Sequence, residues 1–115
     1  MPLAPLDAES AARWLAALPE TSLTLLYKHS TRCGVSLDAR VELGEFVAAH
    51  PEVTAWQVDV LRQRPLSQEF ARLLDIPHQS PQVILLRGGR PLWHTSHQRI
   101  TRAALAERLA AARAG

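Results

Sequence analysis

The chain has 115 residues, 47% of them hydrophobic, with 13 basic and 11 acidic side chains and a formal charge of +2. That composition can bury one core, and no stretch approaches the roughly 20 apolar residues that a membrane-spanning helix needs. Basic residues such as Arg62, Arg64, Arg87, Arg90, Arg99, Arg102, Arg108 and Arg113 are scattered rather than clustered, which argues against a nucleic-acid surface.

Met1 to Glu9 contains no basic region followed by an apolar run, so no signal peptide is expected. Cys33 is the single cysteine; it rules out an internal disulfide framework and suits a reducing cytosol. The expectation is one domain over residues 1–115, cytoplasmic, monomeric, and without a nucleic-acid or membrane partner.

In chain order, Asp7 can cap a helix whose apolar face is Ala8, Ala11, Ala12, Leu15 and Leu18, stopped by Pro19. Ser22 to Tyr27 reads as a short buried strand. Ala39, Leu43, Phe46 and Val47 mark the core stripe of a second helix that ends near His50-Pro51. Val53 to Val60 is rich in β-formers and predicts a strand with Trp56, Val58 and Val60 on one face.

Pro65 suits the first turn of a helix carrying Leu66, Phe70, Leu73 and Leu74. Val83 to Leu86 predicts a third strand, Gly88-Gly89 a hairpin turn, and Leu92 to Thr95 a fourth strand. Thr101 can cap the last helix, with Ile100 and Leu105 spaced as a hydrophobic staple. The order α-β-α-β-α-β-β-α predicts an α/β fold: a mixed four-stranded sheet with helices on both faces. Strands separated by helices are expected to be parallel, and only the hairpin pair antiparallel.

Cys33 falls between the first strand and the second helix. A helix N-terminus presents unpaired N–H groups that favour a thiolate. Lowering a thiol pKa from about 8.5 to about 7 raises its thiolate fraction at neutral pH more than tenfold. Intrinsic nucleophilicity falls roughly fivefold over the same change, so attack gains about threefold, while the sulfur also becomes a better leaving group. With no second cysteine in the chain, resolution requires a thiol from outside.

Four ordered stretches carry a family resemblance: Tyr27-Lys28-His29-Ser30-Thr31-Arg32-Cys33 with Ser36, Arg64-Pro65-Leu66-Ser67, Ser80-Pro81-Gln82, and Trp93-His94-Thr95-Ser96-His97 followed by Ile100-Thr101. Together they resemble the monothiol bacilliredoxin family, redox-active proteins of the bacillithiol system within the thioredoxin superfamily. The resemblance implies a thioredoxin-like fold and a disulfide oxidoreductase that reduces mixed disulfides between protein cysteines and bacillithiol. Bacillithiol would be a co-substrate, with no bound cofactor and no metal. The partners implied are bacillithiolated proteins and the low-molecular-weight thiol.

On this reading Cys33 is the catalytic nucleophile. Ser36 stands where a dithiol relative has its resolving cysteine, and its hydroxyl can donate to a thiolate. Arg32 can favour the thiolate and meet a carboxylate of the small thiol. The resemblance makes Ser80-Pro81 a cis peptide that exposes backbone for pairing with a substrate chain. His97 falls where thioredoxins have a glycine lining the substrate groove, and can bind an anionic thiol or protonate a departing thiolate. Tyr27 stands where thioredoxins carry a buried aspartate, six positions before the nucleophile. Losing that carboxylate together with the resolving cysteine is self-consistent.

Gly34 departs from the proline that bacilliredoxins commonly carry after the cysteine. Cys33-Gly34-Val35-Ser36 is therefore also similar to the Cys-Gly-Phe-Ser turn of monothiol glutaredoxins. That similarity implies an alternative, an iron–sulfur or metal carrier, with His94 and His97 as further ligand types. A third reading is a non-catalytic thioredoxin-like binding module that grips a peptide beside Pro81.

Overall fold

The computed structural model describes residues 3–30 and 34–114. Its sheet contains β1 (Leu3–Pro5), β2 (Leu23–His29), β3 (Thr54–Asp59), β4 (Gln82–Arg87) and β5 (Arg90–Ser96), in the spatial order β1-β3-β2-β4-β5. The helices are α1 (Ala11–Ala17), α2 (Gly34–Ala49), α3 (Arg64–Leu74) and α4 (Arg102–Ala114). None of them is long and apolar enough to cross a membrane.

The sheet has five strands rather than the expected four. The addition is β1, whose three residues pair in parallel with β3 through Leu3 to Ala55, Ala4 to Trp56 and Pro5 to Gln57. Nothing in Leu3-Ala4-Pro5 alternates or favours β structure, so its form comes from docking against β3. Proline is tolerated there because β1 is an outer strand. β5, which carries Pro91, forms the other border.

Helices cover both faces, as the patterning requires. On one face, Ala39, Leu43, Phe46 and Val47 of α2 meet Leu105 and Leu109 of α4 over Leu25, Tyr27, Val83 and Leu85. On the other, Leu15 of α1 and Leu66, Phe70 and Leu74 of α3 cover Leu26, Val58, Ile84 and Leu86. Trp14 stands edge-on to Phe70 at 5.6 Å and to Trp56 at 6.4 Å, closing the second core.

α1 starts later than Asp7. Ser10 is the cap, its hydroxyl accepting from the Arg13 N–H at 3.2 Å, and Glu69 Oε1 accepts the Ala11 N–H at 2.6 Å. A carboxylate supplied by α3 thus fixes the start of α1, which local capping preferences could not reveal. At the last helix, Thr101 Oγ1 accepts from the Ala104 N–H, and Ile100 and Leu105 are both buried beside it.

The direction of β4 is the larger difference. It runs antiparallel to β2, although α3 separates it from β3. Asp75 turns the chain in a left-handed conformation at the end of α3. Residues 76–79, which belong to no helix or strand, then carry the chain to Ser80 and the start of β4 beside β2. The expected hairpin is present: Gly88 has φ +56°, and a Cβ on Gly89 would lie 2.9 Å from the Leu15 carbonyl oxygen.

Candidate active site

Residues 31–33, including Arg32 and Cys33, lie outside the described structure, but both sides of that segment are defined. β2 ends at His29, and Gly34 is the first residue of the sixteen-residue α2. The unpaired N–H groups of the first turn of α2 therefore belong to the residues that directly follow Cys33.

A buried polar frame ties β2 to this turn. The Tyr27 hydroxyl donates to the Ser36 carbonyl at 2.8 Å and lies 3.1 Å from His29 Nδ1. The phenol has one proton and gives it to the carbonyl, so this contact assigns the imidazole proton to Nδ1. Burial, followed by the Arg40 charge, holds the pKa of His29 below its ordinary value, against a smaller opposing effect from Asp59. A neutral His29 fits the chain His29 N–H to Tyr27 O–H to Ser36 C=O.

Ser36 itself is fully buried, and its hydroxyl oxygen accepts from the Ser30 N–H at 3.3 Å. Its hydroxyl therefore faces the interior rather than solvent. Its position in the first turn of α2 places it inside the frame, holding the two ends of the Cys33 segment together.

The second wall comes from β4 and β5. The Ser80–Pro81 peptide is cis. Gln82, next in the chain, pairs with Lys28 of β2 on one side and Ser96 of β5 on the other. The His97 N–H donates to the Pro81 carbonyl at 3.0 Å. His97 has φ +57°, a left-handed conformation that favours glycine. A 3-10 turn over His97–Arg99 packs against α2. One end of the sheet therefore brings together the start of α2, the cis peptide and His97. Ser80 is half-buried, and its Oγ has no hydrogen-bond partner among the described residues.

The sequence reading missed a second polar cluster on the opposite face. Lys28 is fully buried, and its Nζ lies 3.3 Å from His78 Nδ1. Ser67 Oγ lies 3.5 Å from the same nitrogen, and Gln82 Nε2 donates to the Pro77 carbonyl at 3.1 Å. Burial pulls the Lys28 pKa down to about 8. His78 is also held low, by burial first and then by the charges of Lys28 and Arg64. The available signal was a lone cation directly after the mostly apolar run Leu23 to Tyr27; its partner fifty residues away left none. Among the described residues, no group of three His, Cys, Asp or Glu side chains could hold a metal ion.

A family model described as monothiol bacilliredoxin BrxC matches residues 4–105. The chain belongs to that family. Membership gives it a thiol redox role and agrees with the four ordered motifs. The fold is shared with solved thioredoxin structures at low identity. One, described as a candidate oxidoreductase with a thioredoxin fold, superposes with a TM-score of 0.80 at 23% identity, covering 91% of each chain. Thioredoxin f from spinach chloroplast gives 0.73 at 15% identity, covering 96% of this chain and 93% of that one. Thioredoxin NaTrxh from Nicotiana alata gives 0.71 at 17%, covering 93% and 89%.

Proposed function

We propose that the chain is a cytoplasmic, monomeric monothiol oxidoreductase that removes bacillithiol from protein cysteines, with Cys33 as its nucleophile. The Cys33 thiolate attacks the bacillithiol sulfur of a protein mixed disulfide. The S–S bond of the mixed disulfide breaks, the protein cysteine leaves as a thiolate, and Cys33 holds bacillithiol in a new disulfide. A second small thiol, deprotonated, then attacks the bacillithiol sulfur and releases the Cys33 thiolate. The result is a small-thiol disulfide and a reduced protein, with no net loss of electrons.

The observation that carries this reading is the convergence at one sheet end of the α2 start, the cis Ser80–Pro81 peptide and His97. Backbone at Ser80 would receive the substrate chain. Arg32 and His97 would meet anionic groups of the small thiol, and the first-turn N–H groups of α2 would favour the Cys33 thiolate. No cofactor or metal enters these steps.

The test is a transfer experiment read by mass spectrometry. Incubation with a bacillithiolated protein should move the adduct mass onto the chain and restore the free mass of the substrate protein. A Cys33→Ser variant should carry no adduct. Equal release by that variant, or an adduct that never leaves the substrate, would end the proposal.

A further inference from the structure

Lys28 and His78 form a contact that the transfer chemistry does not use. Side chains alternate along β2, so Lys28 faces α3 while Tyr27 and His29 face α2. Lys28 reaches His78, and Gln82, its direct neighbour across the β2–β4 ladder, reaches Pro77. Two adjacent strands thereby hold residues 77 and 78, which are separated from the Ser80–Pro81 peptide by Gln79 alone.

No carboxylate offsets this cation among the described residues. From β3 the register neighbour is Val58, from β4 it is the uncharged Gln82, and from α3 the nearby charge is another cation, Arg64. Asp59 lies one register position further on, where it acts on His29. With Lys28 as an ammonium, the 3.3 Å contact is a donation to the lone pair of a neutral imidazole. An imidazolium at that distance would lose the lone pair and face two cations.

We propose that Lys28, acting through neutral His78, is a positioning residue that seats the Ser80–Pro81 loop for the protein substrate, and that a second proton on the pair unseats it. This rests on the reading that Ser80 backbone receives the substrate chain. His78 is exposed at the surface, so on protonation its ring can turn to solvent and leave Lys28 behind. Acid then weakens protein docking separately from its effect on the Cys33 thiol.

Two His78 variants of the full chain test this, with a bacillithiolated protein as substrate, between about pH 5 and about pH 7, where Lys28 keeps its proton. His78→Gln keeps an acceptor for Lys28 but cannot titrate; His78→Ala removes the acceptor at every pH. Ratios to the wild type cancel the titration of Cys33, which all three share. At the alkaline end His78→Ala should raise KM about tenfold with kcat nearly unchanged, the worth of one charge-assisted hydrogen bond, and His78→Gln should match the wild type. At the acid end His78→Gln should bind substrate more tightly than the wild type, by a similar factor. Amide NMR shifts of Ser80 and Gln82 should titrate with the His78 ring in the wild type and stay flat in His78→Gln.

Wild-type transfer with an unchanged KM in His78→Ala, or a His78→Gln ratio that does not vary with pH, overturns the positioning role and leaves the transferase reading standing. Amide shifts that ignore the His78 titration overturn the tether itself. Failure of the wild type to accept the small thiol sinks the transferase reading, and substrate positioning with it, while the NMR result still reports the tether.

Discussion

Tyr27 and Lys28 are consecutive residues of one strand, both fully buried, and they meet opposite fates on the two faces of the sheet. Facing α2, Tyr27 joins a neutral network in which donors and acceptors are matched through His29 and Ser36. Facing α3, Lys28 brings a cation to a site where the described residues supply no carboxylate. Neutral, satisfied groups hold structure at small cost, whereas a buried charge without a counterion is a standing penalty. The fold thus uses one face of β2 to frame the thiol segment. The other face carries a destabilising group beside the loop that presents the cis peptide.

The largest effect should come from the apolar packing the two faces share. Phe70→Ala, beneath α3, should lower unfolding free energy by about 3–5 kcal/mol in denaturant titration, and Leu43→Ala, beneath α2, by about 2–5 kcal/mol. A large disparity between them would show that one face alone dominates stability. Next comes Lys28→Met, expected to stabilise the protein by up to about 3 kcal/mol at neutral pH, since a pKa near 8 rather than 10.5 measures the penalty on the charged form. The sign follows from proton uptake. Between pH 8 and 10.5 the unfolded chain holds more protons at Lys28, so wild-type stability should rise with pH across that window, and the variant should lack the rise.

Tyr27→Phe should destabilise by about 1–3 kcal/mol, because the Ser36 carbonyl and the His29 N–H both lose a buried partner. A neutral outcome would break the contrast between the faces. Ser36→Ala should be the mildest, at about 1 kcal/mol. Its signature would be faster amide exchange at Ser30, whose N–H the hydroxyl accepts.

Much of this architecture was legible because local pattern and tertiary context agree. Ala39, Leu43, Phe46 and Val47 lie at helical spacing and are all buried, and Gly88-Gly89 turns where two glycines are sterically required. The failures have a common cause in distant partners. β1 exists through β3, the start of α1 through Glu69, and the reversal of β4 through the path of segment 75–81. At the site, the motifs located the cis Ser80–Pro81 peptide and the neighbourhood of His97 with Pro81. They could not foretell that Ser36 is enclosed, since a first-turn serine reads alike whether it faces solvent or the strand below. The Lys28–His78 contact spans fifty residues and left only a misplaced charge as its trace.

The two borders of the sheet bear on the company this protein keeps. β1 offers three residues and ends in Pro5, while β5 carries Pro91 in its second position, so each free rim lacks an amide hydrogen that a newcomer's backbone would seek. Ribbon-like growth from rim to rim is disfavoured at both margins. A thiol redox protein is thereby spared from becoming a template for the chains it meets.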